Sequence, residues 1–408
     1  MGGPGNSLPG PEGQEVFFPI FRKGWGVRTK GQPPVEMSVP DGVTDEERAL
    51  FFRTVETRIS PEAARRFVAP EKVYPGQREV LAVHWHPESV PLSLIEKRIA
   101  ALFPGRLDEL VIPTQHNELL SYGPYAGVEV DCYSRGFNHK VQLLLHFEKE
   151  KAADAPVLRS MLEHTFRYRA TQLSEFMRAI TKPVDSIVSK AARETGATEE
   201  VVAFTRAYVQ KIESLLAENS GRVPRGSVKN KLLRNYFNLL RPIYGDRLIT
   251  RAQNFLRAVK MQVKAGFSLQ YFYRTSEVIE EARSLGGCVV IPHPEQFWPI
   301  LLAEYDVDGY EVWNPQSLRY TDFLISVVNE KNRKCGGSGR KILIFMGDDT
   351  HMAEKILDPV HQDPEKAARE IGVQPAWDDL LIQKRLILAG MDRKHVIAEY
   401  KARLAGRG

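Results

Sequence analysis

The sequence predicts an α/β fold in which parallel βα units are interrupted by an all-helical insertion. Three observations carry that expectation. From about residue 76, short runs rich in Val, Ile and Leu alternate with stretches of helical period. Between roughly 150 and 285 the strand-like runs stop and helical texture takes over, as in VVAFTRAYVQKIESLLAE and NKLLRNYFNLLRPIYG. Finally, five of the strand-like runs carry a histidine or carboxylate at or near their C-terminal ends, the face on which the sites of (βα) barrels are built. A chain of 408 residues has room for two to three domains, or for one large barrel with insertions.

Taken in order, residues 1–14 (MGGPGNSLPGPEGQ) read as a flexible Gly/Pro tail, without the basic and apolar regions of a signal peptide. Thr44 followed by Glu47 forms a capping box that opens a helix over 44–59. Strands are expected over 79–83, 109–113, 127–132 and 141–147, and again over 287–292, 309–313 and 341–346. Between the first two, Leu92, Ile95, Ile99 and Leu102 recur at helical spacing. The implied organisation is an N-terminal extension (1–75), a scaffold in two pieces (76–150 and 285–355), a helical insertion (151–284) and a C-terminal helical extension (356–408). An insertion of that size is tolerated at a surface loop, because loop-closure entropy grows slowly with length.

Composition narrows the function classes. At 43% hydrophobic and 26% charged residues, disordered, collagen-like and low-complexity classes are excluded. Cys132, Cys288 and Cys335 are far apart and form no Cys-x-x-Cys pair, so neither a disulfide framework nor a Cys-based zinc site is expected, and a reducing, cytoplasmic setting is. No apolar run reaches the roughly 18 residues a membrane span needs. The net charge of +5 is unevenly spread: residues 222–264 hold eleven Lys/Arg and only Asp246 as an acid, so this segment contributes +10 and the rest −5.

The strand ends carry the chemistry. The first strand runs into His84-Trp85-His86, and in extended chain residues two apart face the same side, so both imidazoles can address one ion. The second strand leads to Thr114-Gln115-His116-Asn117, the third carries Glu129, the fifth ends at His293-Pro294, and the last ends in Gly347-Asp348-Asp349-Thr350-His351. Any one such histidine is equally compatible with a hydrogen-bonded core residue. Six side chains delivered to strand ends together point to a metal, and imidazole mixed with carboxylate suits Zn, Mn or Fe better than Mg or Ca.

In this order, His-x-His, Thr-x-His-Asn, Gly-x-Glu, an apolar strand, His-Pro, Glu-Val-x-Asn (Glu311, Asn314) and Gly-x-Asp-x-His resemble the polymerase and histidinol phosphatase (PHP) family over 76–150 and 285–355. The resemblance implies a distorted (βα)7 TIM-like barrel of the PHP type, holding two or three divalent ions and hydrolysing phosphate mono- or diesters. His84, His86, Glu129 and Asp349 would hold one ion, Glu129 and His293 a second, and His116 and His351 a third. His84, His86, Glu129, Asp349 and His351 would form the catalytic set, with water acidified by the cations as nucleophile. The pattern departs at Ala82, Gln115 and Gln142, where the family carries acidic residues or histidine; His139, three residues before Gln142, is the substitute metal ligand. Those departures motivate a second reading, a degenerate barrel that binds nucleic acid or protein.

The substrate expected is a phosphorylated small molecule or a nucleic-acid-like polyanion. Arg135, after the Glu129 strand, and Arg319, past Asn314, are phosphate-clamp candidates because guanidinium matches phosphate bidentately. The basic segment 222–264, with Tyr236, Phe237, Tyr244 and Phe255 interleaved, can steer a polyanion or contact nucleic acid; its plainer reading is a solvated helix face over a packed aromatic core. The glycine-rich 334–341 lacks the Gly-Lys-Ser/Thr ending of a phosphate loop and reads as a plain loop.

Overall fold

A computed structural model describes residues 39–407 apart from 183–184, 335–339, 358 and 360–361. The Gly/Pro tail, Cys335, most of the glycine-rich loop and His361 lie outside the described residues. The chain is mixed α/β. It opens with helices α1 (Asp45–Val55) and α2 (Pro61–Val68), followed by strands β1 (Glu79–Ala82) and β2 (Trp85–His86), helix α3 (Leu92–Leu102), and strands β3 (Asp108–Val111), β4 (Leu120–Tyr122), β5 (Tyr125–Ser134) and β6 (His139–Glu148). At α1 the capping box is present: Thr44 Oγ1 accepts from the Glu47 N–H, and the Thr44 N–H donates to Glu47.

From β6 onward the chain is helical: α4 (Lys149–Ala153), α5 (Pro156–Thr181), α6 (Asp185–Thr195), α7 (Glu199–Glu218), α8 (Lys231–Leu239), α9 (Arg241–Tyr244), α10 (Asp246–Gly266) and α11 (Thr275–Ser284). Strand structure resumes with β7 (Cys288–Ile291) and β8 (Gly309–Trp313), then α12 (Thr321–Lys334), β9 (Leu343–Met346) and β10 (Thr350–His351), and closes with α13 (Pro364–Ala367), α14 (Leu380–Ala389) and α15 (Arg393–Leu404).

Three apolar clusters follow this division. One lies on the strands, where β5–β9 pack against α11, α12 and α15. A second belongs to the helical segment and takes in Tyr236, Phe237 and Phe255, with Phe51 and Val55 of α1 added from the N-terminal side. The third joins Phe67 of α2 and the α3 stripe Ile95, Ile99 and Leu102 to β1 and Trp85. No helix of the described residues is long and apolar enough to cross a membrane.

The strands form a six-stranded sheet in the order β4-β5-β6-β7-β8-β9 and two parallel pairs, β1-β3 and β2-β10. They do not close into one continuous barrel. The expectation of parallel βα units holds for β7-β8-β9 but fails for β5 and β6, which form an antiparallel hairpin, and for β6-β7. The reason is the short 135–138 connection: a parallel neighbour needs a crossover of a dozen residues or more, whereas this turn closes with the Asn138 N–H donating to Arg135 O. Between the sheets, single links carry the alignment. The Asp349 N–H donates to His84 O, and His116 bridges in parallel to Glu129, with the Asn117 N–H donating to Glu129 O; within the six-stranded sheet the Gly347 N–H extends the β8–β9 pairing to Trp313 O.

Candidate metal centre

These links bring the strand ends together. β2 pairs in parallel with β10, placing His86 opposite His351, while the 116–129 bridge sets His116 beside Glu129. The His86 ring packs against those of both His116 and His351, with centroids 4.3 Å and 4.4 Å away, and those two rings are 6.0 Å from each other. Asn117 locks the bridge: its Oδ1 accepts from the Asp131 N–H at 2.9 Å and its Nδ2 donates to Asp131 Oδ2 at 2.8 Å. Asn117, Glu88, His293 and Asp349 all adopt positive φ, from 28° to 54°, a region disfavoured for side chains with a Cβ. Four such residues around one point mark a locally constrained site.

Asp349 and Glu129 occupy the middle. Asp349 Oδ2 accepts from Gln316 Nε2 and Arg369 Nη1, each at 2.8 Å, which leaves Oδ1 facing inward. That oxygen is 3.3 Å from His86 Nε2, 3.5 Å from His351 Nε2 and 3.7 Å from His84 Nε2. Glu129 Oε1 lies 3.7 Å from His293 Nε2 and 4.0 Å from His84 Nε2; Oε2 lies 3.7 Å from His86 Nε2 and touches His116 Nδ1. Two donors about 2.1 Å from one ion in tetrahedral geometry stand about 3.4 Å apart, so most of these spacings suit shared coordination.

Three overlapping groups can each hold a cation: His84, His86 and Asp349; His84, Glu129 and His293; His86, His116 and His351. His84 Nε2, both nitrogens of His86, His293 Nδ1 and Glu129 Oε1 are buried without a hydrogen-bond partner among the described residues, and His116 Nδ1 and Glu129 Oε2 have only each other. Burying that many unpaired polar atoms is costly, and a divalent cation would pair imidazole lone pairs and carboxylate oxygens together. The donor set therefore fits the metal expected.

The electrostatics agree. Burial opposes ionisation of Glu129, yet the imidazoles of His116, His293 and His86 hold it well below the usual carboxylate range; Asp349 is likewise held low, by His351, His86 and His84. Burial and the neighbouring His116 and His351 push His86 down to about 3, so its imidazole stays neutral at pH 7. In the metal-free chain His84 is pushed up to about 10 because Glu311, Asp349 and Glu129 outweigh its burial.

Two acids belong to the site that the strand-end reasoning passed over. Glu311 Oε1 accepts from His84 Nδ1 at 2.6 Å and its Oε2 accepts from the His293 N–H at 2.9 Å, so one carboxylate orients two candidate ligands. Its signal was present, since it opens the Glu-Val-x-Asn motif. Glu88, two residues after His86, lies 3.4 Å from His351 Nδ1, and its own N–H donates to Gln115 Oε1. Gln115 thereby positions the acidic segment behind His86.

Other expected site residues fall elsewhere. His139 is exposed and pairs with Ser134 at the far end of the hairpin, five residue pairs from Glu129 and about 17 Å along the strand. It is not a ligand of these groups. Arg135 sits at the exposed hairpin tip, lining a separate cleft with His164, Tyr271 and Arg274. Arg319 is exposed and stacks its guanidinium over the Tyr320 ring at 4.6 Å. His146 is buried among the strands, its Nε2–H donating to Val83 O and its Nδ1 accepting from the Tyr400 hydroxyl, the arrangement of a core histidine.

No family model matches the chain, and no curated protein matches it. Among solved structures, a candidate metal-dependent phosphoesterase from Bifidobacterium adolescentis aligns with 77% of this chain and 96% of its own, at 16% identity and a TM-score of 0.36. A likeness at that level transfers neither fold nor activity.

Proposed function

We propose that this protein is a metal-dependent phosphoesterase of the PHP type, using two or three Zn, Mn or Fe ions to hydrolyse a phosphate mono- or diester. The observation that carries the reading is the set of three overlapping, largely buried His/carboxylate groups, several of whose buried atoms, His84 Nε2, His86 Nε2 and Glu129 Oε1 among them, have no hydrogen-bond partner among the described residues. The order of motifs along the chain supports the family, and the single links between β9/β10, β1/β2, β3 and β5 support reading the strands as an interrupted seven-membered ring.

Bound cations would neutralise phosphoryl oxygens and bring the pKa of water toward neutrality. The chain's contribution is orientation and charge. Glu311 keeps a proton on His84 Nδ1, so Nε2 presents its lone pair inward once the proton there is displaced. Gln316 and Arg369 hold Asp349 in one rotation, and ionised Glu129 and Asp349 supply the negative charge that balances the cations.

Elemental analysis of the purified chain, followed by a phosphoester panel with added Mn or Zn, tests the reading. Stoichiometric metal with turnover that His84→Ala and Asp349→Ala each abolish is the expected result. A metal-free protein that stays inert across the panel refutes it.

A further inference from the structure

The basic segment does not behave uniformly. Arg225 pairs with Glu163, Arg222 lies over the Phe52 ring, and Arg241 is spent on Asn238, Asp246, Thr250 and Gln253. These are helix-surface contacts of ordinary kind, and Tyr236, Phe237 and Phe255 are buried in the helical core rather than offered to bases.

Lys229 and Lys231 differ, because the turn before α8 carries them to the edge of the metal centre. Lys229 Nζ is 3.9 Å from Glu88 Oε1, the same oxygen that lies 3.4 Å from His351 Nδ1. Asn230, between the two lysines, donates from Nδ2 to Gln172 Oε1 at 2.7 Å and so ties this turn to α5, one helical turn beyond Arg169. Arg169 in turn interacts electrostatically with His116, Asp131 and Lys229. Lys229 and Lys231 therefore share one carboxylate, Glu88, at a half-buried rim beside His351, while Arg169 acts on Lys229 and on His116. Burial pushes both ammonium groups down; Glu88 opposes this at both lysines and Glu354 at Lys231, while Lys231 and Arg169 add to it at Lys229, and Lys366 and Arg234 at Lys231. Glu88 is the one carboxylate that both lysines share, and an anion at this rim would offset the remaining repulsion among the cations.

We propose that Lys229, Lys231 and Arg169 form an anion subsite beside the metal centre and that the substrate is polyphosphorylated, its reacting phosphate at the His/carboxylate groups and a second phosphate on these three cations. The inference rests on the phosphoesterase reading for the first phosphate, while the subsite itself requires no metal.

The test is calorimetric titration of the full-length chain, as purified and after EDTA treatment, with tripolyphosphate and with orthophosphate. Tripolyphosphate should bind at least about tenfold more tightly than orthophosphate in both forms, weakening with salt, as charge-assisted contacts require. Lys229→Gln/Lys231→Gln should erase that preference, and Lys229→Arg/Lys231→Arg, which keeps the charge, should retain it. Equal binding of the two anions, or a preference surviving the glutamine pair, overturns the subsite. Metal content and turnover of the same preparations separate the two claims. Metal and hydrolysis without the preference refute the subsite alone; the preference without metal or hydrolysis refutes the phosphoesterase alone.

Discussion

Glu311 and His84, 227 positions apart in the chain, meet through a 2.6 Å hydrogen bond that decides which nitrogen of His84 faces the centre of the site. The second oxygen of the same carboxylate receives the His293 N–H, so Glu311 couples two of the three candidate metal groups without being a member of any. Glu311→Gln keeps the shape but can direct a donor at His84 Nδ1. Metal affinity should fall about 10–100-fold with the metal count at saturation unchanged, measured by competition with a chromophoric chelator.

Gly347 explains how Glu311 comes so close. A Cβ at this position would stand 1.9 Å from Glu311 Oε1, so Gly347→Ala must displace the carboxylate. Its metal affinity should fall to the level of Glu311→Gln. Combining the two substitutions should cost little more than either alone, because both break one interaction; additive losses in a double-mutant cycle would contradict the arrangement.

His139 and Arg135 are expected to be dispensable for the site. His139→Ala and Arg135→Ala should leave metal content and turnover within about twofold of the unsubstituted chain, in line with surface substitutions away from a site. A loss of metal in His139→Ala, read by elemental analysis, would place the hairpin end at the centre after all.

His146 predicts the acid limb of stability. Burial pushes its imidazole down to about 3, against an ordinary value of 6.5. The folded value is depressed, so the unfolded chain binds the extra proton: this contribution is present above pH 6.5 and is lost progressively as pH falls toward 3. The slope is about 1.4 kcal/mol per pH unit for one proton. Urea unfolding of metal-free protein between pH 6.5 and 4 should show a shallower fall for His146→Gln than for the unsubstituted chain. His86 shifts the same way, but its contribution is common to both and cancels in the difference.

The basic character of residues 222–264 and the helical nature of the segment followed from local composition and period, as did the strand-end positions of His84, His86, Glu129, His293, Asp349 and His351. A two-residue strand period is a local property, so side chains two apart share a face wherever the strand is placed. The hairpin was not readable in the same way. Apolar runs over 127–132 and 141–147 suit either strand direction, and the antiparallel register, set by a four-residue connection, is what carries His139 away from Glu129.

By itself, then, the sequence determined the mixed α/β pattern, the helical interruption and the supply of imidazoles and carboxylates to strand ends, because propensity and period act over a few residues. Tertiary structure decided which histidines converge and which, like His146, close a core hydrogen bond. It also decided that Glu311, Gly347, Arg369, Gln316 and Lys229 belong beside them. Those partners come from segments up to 227 positions away, and their approach depends on sheet register and helix packing, which no local pattern encodes.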